Sequence, residues 1–267
     1  MARQKLGQHF LADLGWRNRI LEALPRASND VWIEIGPGHG EMTQHFLNRG
    51  NRLIAIEADP RLAEGLRAMQ AAHLAEGAEE WRRLEIIAGD VLQQNLAQLG
   101  GERVRVYGNL PYYITSPILR HLLDAADQIA SIHIVVQFEV AARMVARPGR
   151  RSYGFLSALC QFYAYPQIVL RIPPGAFRPP PRITSALVSM TLPGERSSLG
   201  VRDEKRCLDF VGVCFGQKRK TLRNNLRSLA SAERIANALA DCGLRADARA
   251  EQLSLAQFAA LFGALAG

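Results

Sequence analysis

The chain has 267 residues, of which 48% are hydrophobic and 22% charged, and it carries a net charge of +8. That is enough for one large domain, or for a medium and a small one, around a fully buried core. No apolar run reaches bilayer-spanning length and the first residues lack the apolar core of a secretion signal, so a cytoplasmic address with no membrane partner is expected.

From residue 31 to about 136, short Ile- and Val-rich runs alternate with longer helical segments. Strands are predicted at 31–35, 52–56, 84–88, 104–107 and 132–136, with helices at 41–49, 60–77 and 116–124. Pro60 and Pro117 sit where a first helical turn tolerates proline. Such alternation implies an α/β fold, a doubly wound, mostly parallel sheet with helices on both faces. Two further strands are predicted at 168–171 and 185–191. Between them lies Pro173-Pro174-Gly175-Ala176-Phe177-Arg178-Pro179-Pro180-Pro181, which no helix can cross. Residues 193–198 read as a linker, and four short helices are predicted at 203–215, 218–228, 232–242 and 254–264. The expected division is therefore an α/β domain over 1–193 and a small helical domain over 194–267.

The positive charge is unevenly spread. No acidic residue stands between Glu139 and Glu195, a stretch holding Arg143, Arg147, Arg150, Arg151, Arg171, Arg178 and Arg182. A second acid-free patch contains Lys218, Arg219, Lys220, Arg223 and Arg227. Two such stretches in one basic protein point to phosphate contact. The four cysteines, Cys160, Cys207, Cys214 and Cys242, form no Cys-x-x-Cys pair, so reduced buried thiols are expected and a metal site is not.

Two stretches at strand ends carry the chemistry. The first predicted strand runs into Glu34-Ile35-Gly36-Pro37-Gly38-His39-Gly40, where alternate glycines allow a tight turn with no side chain between backbone and ligand. Glu57 closes the second strand, placed to accept both hydroxyls of a ribose, and Asp90 follows the third, placed to accept an adenine amino group. A glycine turn alone also suits nicotinamide or flavin dinucleotides. Their fingerprint, however, puts the third glycine one place later, and Glu34 would repel a pyrophosphate while it could face a sulfonium cation directly or through a neighbour. Taken together, the site prefers S-adenosylmethionine.

The fourth strand ends in Asn109-Leu110-Pro111-Tyr112. An amide, a proline-stiffened turn and an aromatic ring can together hold a flipped adenine. The Asn109 oxygen and the Leu110 carbonyl are expected to accept the N6 hydrogens, Pro111 to stiffen the turn, and Tyr112 and Phe177 to grip the base. Arg178 and Arg182 would meet phosphates beside it. The segment 8–11 reads as a lid that orders on cofactor or RNA.

The chain resembles the ribosomal RNA adenine N6-dimethyltransferases, in particular those acting on the small subunit. The resemblance runs over essentially the whole length. It rests on Gly7-Gln8-His9-Phe10-Leu11, Glu34-Ile35-Gly36-Pro37-Gly38, Glu57, Gly89-Asp90, Gly108-Asn109-Leu110-Pro111-Tyr112, Gln137 with Glu139, and Phe177-Arg178-Pro179-Pro180-Pro181, in that order and spacing. It departs from the usual pattern at His9, Tyr113 and Phe138. The resemblance implies a Rossmann-like class I methyltransferase domain with cofactor contacts at His9, Leu11, Gly36, Glu57, Asp90 and Asn109, joined by Gly38 from the turn. It implies as target two adjacent adenines near the 3′ end of 16S rRNA on an immature small ribosomal subunit. The helical domain would help bind that RNA, through Lys218, Arg219, Lys220 and Arg223 with Arg147. A monomer is expected. Two other readings stay open: a subunit assembly factor with incidental catalysis, and a 23S rRNA adenine methyltransferase, against which the 177–181 segment and the C-terminal match argue.

Overall fold

A computed structural model describes residues 9–26, 30–100 and 103–266. These fall into two compact units, residues up to 141 with 167–192, and 142–166 with those from 193 onward. The segment 142–166, placed by the sequence in the first domain, thus belongs with the C-terminal helices.

The first unit opens with β1 (Phe10–Leu11) and α1 (Leu14–Ala23), whose N-terminus is capped by the Asp13 carboxylate accepting the Trp16 N–H at 2.9 Å. Then follow β2 (Val31–Ile35), α2 (Thr43–Asn48), β3 (Arg52–Glu57), α3 (Pro60–Ala75), β4 (Leu84–Ala88), α4 (Leu96–Leu99), β5 (Val104–Asn109), α5 (Thr115–Asp124) and β6 (Ile129–Gln137). Helix α3 starts as its sequence dictates: Pro60 needs no partner for a missing N–H, and Asp59 accepts from Arg61 N at 2.9 Å. After α6 (Phe138–Met144) and α7 (Phe155–Tyr163), the chain returns as β7 (Tyr165–Ile172), β8 (Phe177–Arg178) and β9 (Ser185–Thr191).

Seven strands form one sheet in the order β4-β3-β2-β5-β6-β9-β7, and β1 pairs antiparallel with β8 in a second, two-stranded ribbon. Strands β4 through β6 pair in parallel, while β9 runs antiparallel to β6. The chain winds outward from β2 to β4, then restarts at β5 on the other side. Right-handed crossovers therefore place the first helices and the later ones on opposite faces. The reversal lies between β2 and β5, where the carboxyl ends of parallel strands leave a crevice for a ligand. Trp32, Phe46 and Tyr107 pack in series beneath it, with ring centroids 4.8 and 5.4 Å apart, each 1% exposed or less.

In the second unit, α8 (Glu204–Cys214), α9 (Leu222–Asn225), α10 (Ala232–Asp241) and α11 (Leu255–Ala266) pack around Phe210, Phe215, Phe258 and Leu261. Two expectations are corrected here. Residues 218–228 are not one helix: Lys218, Arg219 and Lys220 lie in a turn, and only α9 and a single 3₁₀ turn, Leu226–Ser228, follow. Adjacent cations disfavour a helix start, and Asn225 donates its side-chain amide to the Cys214 carbonyl at 2.6 Å, competing with continuous backbone bonding. The presumed linker is an ordered 3₁₀ turn, Glu195–Ser198, preceded by Gly194, whose N–H donates to the Tyr163 carbonyl at 2.8 Å. Cys160, Cys207 and Cys214 are buried, and burial pushes each thiol pKa upward, Cys207 to about 11.

Candidate active site

The turn after β2 holds Gly36 and Gly38 at φ of 67° and 63°, in the left-handed region that L side chains rarely adopt. At Gly38 space forbids a side chain as well: a Cβ there would lie 2.8 Å from the Phe10 ring and 3.0 Å from Glu41 Oε2. Gly40 differs in its surroundings. Its φ of 82° is also left-handed, and a Cβ there would press on Leu66 and Met69 of α3, so this glycine serves helix packing.

Glu57 ends β3 with 3% exposure. Its two oxygens accept N–H groups from Gly38 at 3.1 Å and Asp59 at 2.9 Å. Burial raises its pKa, and those backbone bonds oppose the rise. A carboxylate has about four acceptor positions, and the Ala58 N–H adds to these two bonds, so capacity remains for a ribose hydroxyl. Glu34 does not line the pocket. It is 2% exposed, accepts from Thr43 Oγ1 at 2.7 Å, and burial lifts its carboxyl to about 8, so any influence on a ligand passes through the glycine turn.

At the neighbouring strand end, Gly108 and Asn109 pair with Ile134 and Val135 of β6, and Leu110 N–H donates to the Val135 carbonyl at 3.2 Å. The turn then feeds α5, whose first residue Thr115 donates its hydroxyl to the Pro111 carbonyl at 3.2 Å. Asn109 Nδ2 donates to the His9 carbonyl at 2.7 Å, which leaves Oδ1 as the acceptor of that amide. The ring of Tyr112 stands 5.5 Å from that of His9 and its hydroxyl meets Ser185 Oγ at 2.6 Å. Burial raises the phenol pKa, and the bond to Ser185 opposes the rise.

One pocket gathers His9, Phe10, Gly36, Gly38, Glu57, Asn109, Leu110, Pro111 and Tyr112. Phe10 is the residue that sequence reasoning missed. Its ring covers Gly38 and meets His39 edge-on at 4.5 Å, held there by the β1–β8 ribbon and by the contact of His9 Nδ1 with the Pro179 carbonyl at 2.7 Å. The segment expected to act as a lid is thus a strap across the crevice over residues 9–11. Gly7 and Gln8 lie outside the described residues.

Leu11 and Asp90 flank this pocket without lining it. Leu11 is buried, and Asp90 spends one oxygen on capping Leu92 N at 2.9 Å. Phe177 requires a correction. It is fully buried, paired in the ribbon with Leu11 and packed in the same core as Ile172, Ala176 and Leu187. A ring with no open face cannot stack on a base, so here it supports the strap from beneath. The basic residues separate by unit. Arg178 and Arg182 are exposed in the first, while Arg147, Lys218, Arg219, Lys220 and Arg223 are exposed in the second. There the two acid-free stretches meet, Lys218 Nζ donating to the Arg151 carbonyl at 2.6 Å. Arg171 lies with its guanidinium 4.3 Å from the ring centroid of Phe138. Among the described residues no His, Cys, Asp and Glu cluster could hold a metal ion.

A reversed parallel sheet carrying a side-chain-free turn, a strand-end carboxylate and an amide at the switch point defines a Rossmann-like class I methyltransferase, whose cofactor is S-adenosylmethionine. A solved dimethyladenosine transferase from Plasmodium falciparum shares the fold with a TM-score of 0.80 at 24% identity, over 95% of this chain and 96% of that one. The solved 23S rRNA methyltransferase ErmE gives 0.72 at 25% identity, over 97% and 100%. The family model for ribosomal RNA adenine dimethylase matches residues 1–266, and the chain belongs to that family. Relatives named ribosomal RNA small subunit methyltransferase A agree. That of Xanthomonas campestris pv. campestris (strain B100) is 42% identical over 258 residues, covering 96% of this chain and 94% of its own. That of Acidobacterium capsulatum is 42% identical over 266 residues, covering 98% and 91%.

Proposed function

We propose that the protein methylates N6 of two adjacent adenines near the 3′ end of 16S rRNA, dimethylating both, on an immature small ribosomal subunit. S-adenosylmethionine supplies the methyl group, already activated on a sulfonium. Gly36, Gly38, Glu57, Asp90 and Asn109 would hold it, with His9 and Leu11 closing over it from the strap.

The Asn109 amide carries this reading. Adenine N6 is a weak nucleophile because its lone pair is conjugated into the ring. With Nδ2 committed to the His9 carbonyl, Asn109 Oδ1 is oriented to accept an N6 hydrogen. The Leu110 carbonyl would take the other, turning the lone pair out of conjugation and toward the methyl donor. Pro111 limits the motion of that turn, and Tyr112 supplies the stacking face, worth about 1–3 kcal/mol per base. No perturbed general base is needed, since the methylated nitrogen sheds its proton afterwards. Arg178 and Arg182 would contact phosphates near the target. Arg147, Lys218, Arg219, Lys220 and Arg223 would hold RNA as well, which gives the unit containing the C-terminal helices its role. The small-subunit assignment draws on relatives at 42% identity, against 25% for the large-subunit enzyme. We further take the enzyme to act as a cytoplasmic monomer; among the described residues no helix is long and apolar enough to cross a membrane.

The test is mass analysis of RNA from undermethylated small subunits after incubation with the protein and S-adenosylmethionine. Two dimethylated adenines in one fragment support the proposal, and unmodified adenines overturn it. In the same assay Asn109→Ala should weaken cofactor binding far less than it slows transfer, which should fall at least a hundredfold, the scale of one lost transition-state contact.

A further inference from the structure

We infer that Ser185 is a positioning residue for methyl transfer, acting through Tyr112. The inference rests on the proposal that Tyr112 stacks on the target base.

Ser185 is the first residue of β9, fully buried, and sits opposite Gln137 in the β6–β9 ladder. The residue before it accepts the Phe138 N–H through the Thr184 carbonyl at 3.0 Å. Its backbone is therefore tied to the carboxyl end of β6. Asn109 is tied to the same strand from the other side, through its register with Val135. Between these two fixed points the turn carries Tyr112 across, and the 2.6 Å bond joins its hydroxyl to Ser185 Oγ.

The consequence is geometric. A tyrosine hydroxyl lies on the axis through Cβ and Cγ, so holding the oxygen fixes where that axis points. Rotation about the axis remains, and the His9 ring at 5.5 Å, tilted by 32°, bounds it. Stacking demands that the ring plane match that of the base, so an anchor at the far end of the ring sets the height and tilt of the base relative to Asn109. A two-residue device thus connects the start of an antiparallel strand to the reacting nitrogen, although neither Ser185 atom nor backbone lines the pocket.

A purely structural serine behaves differently from an anchor. Tyr112 is only half buried, so its phenol can turn to water when Ser185 is lost, and folding stability should scarcely change. The transfer step should suffer instead. The experiment compares Ser185→Ala, Tyr112→Phe, the double variant and Tyr112→Ala, using undermethylated small subunits and S-adenosylmethionine. Single-turnover transfer rates, cofactor affinity by calorimetry and urea midpoints are measured for each.

Ser185→Ala and Tyr112→Phe should each lower the transfer rate about three- to tenfold, the range for one net hydrogen bond. Their double variant should be no slower than the slower single. Cofactor affinity should stay within twofold in both singles, and the Ser185→Ala midpoint should not move, whereas Tyr112→Phe leaves the buried Ser185 hydroxyl unpaired and should lower its own midpoint. An undiminished rate in Ser185→Ala, or a double variant whose loss is the product of the singles, overturns the anchor. In Ser185→Ala, a rate loss matched by an equal loss of cofactor affinity or of folding stability also overturns it. Tyr112→Ala separates the underlying reading: if removing the whole ring leaves transfer intact, stacking by Tyr112 is itself wrong. If Tyr112→Ala fails while Ser185→Ala does not, only the anchor is.

Discussion

Replacing Glu34 with Gln exposes how the glycine turn is stabilised. Glu34 lies in β2 two residues before Gly36, fully out of solvent, with Thr43 Oγ1 donating to it at 2.7 Å. Burial is the largest influence on its carboxyl, and the negative charges of Glu41 and Glu57 add to it, so its pKa rises from 4.5 to about 8 against the opposing bond from Thr43. At neutral pH the folded protein therefore keeps a proton that the unfolded chain has released. A pKa raised by folding gives stability that is complete below 4.5 and is lost as pH climbs to about 8. The gap between those values, at about 1.36 kcal/mol per pH unit, amounts to roughly 5 kcal/mol, a large part of the ~5–15 kcal/mol that holds a domain together. Glutamine keeps an acceptor for Thr43 and does not titrate. Urea midpoints measured from pH 5 to pH 8.5 should show wild type and Glu34→Gln nearly level at the acid end. The variant should pull ahead by several kcal/mol at the alkaline end. A constant difference across the series would mean that Glu34 is ionised in the folded state and that its burial has been misjudged.

Three further substitutions address the remaining parts. Gly38→Ala places a methyl at φ +63° and 2.8 Å from the Phe10 ring. It should displace the strap and cut S-adenosylmethionine affinity at least tenfold by calorimetry, and unchanged affinity would separate the strap from the cofactor site. Phe177→Ala should cost about 3–5 kcal/mol of folding stability in urea titrations, as loss of a buried ring does; a stable but inactive variant would restore a direct contact with the base. Replacing Lys218, Arg219 and Lys220 with Ala should lower the slope of log affinity against log salt for small-subunit binding by up to about two. Lys218 contributes least of the three, because its ammonium already donates to a carbonyl. A salt slope equal to wild type would remove that turn from the RNA surface.

How far the sequence reaches depends on whether the controlling contact is local. β2, β4 and β9 have the predicted bounds because dense runs such as Val31-Trp32-Ile33-Glu34-Ile35 can only be buried strands. β6 begins three residues before its predicted start, since Ala130 and Ser131 dilute the apolar pattern while the backbone continues pairing. The strand-end glycines, Glu57 and Asn109 were equally legible, each being a residue type that a turn or a ligand requires at that position. Helix α1 has a local signal in Asp13, its N-cap, without a strong apolar period behind it, and α7 has only Gly154 and Ser157, whose Oγ accepts the Gly154 N–H at 3.1 Å.

What stayed hidden was set by distant partners. Phe177 among prolines looks like an exposed loop aromatic, and nothing nearby in sequence reveals that residues 10 and 11 will cover it. The same strap decides the state of Asn109. An amide at a strand end has two equivalent orientations until the His9 carbonyl, 100 residues away, takes Nδ2 and leaves Oδ1 as acceptor. The orientation of Asn109 therefore depends on a backbone carbonyl whose approach to it no local pattern reveals. On the proposed mechanism the strap does more than cover the site, because its His9 carbonyl holds Nδ2 and so turns Oδ1 toward the exocyclic amine. Seating the strap and orienting the acceptor would then be one event, and single-turnover measurements on a variant lacking the strap should show slowed transfer even with both ligands bound; an unslowed rate would refute this.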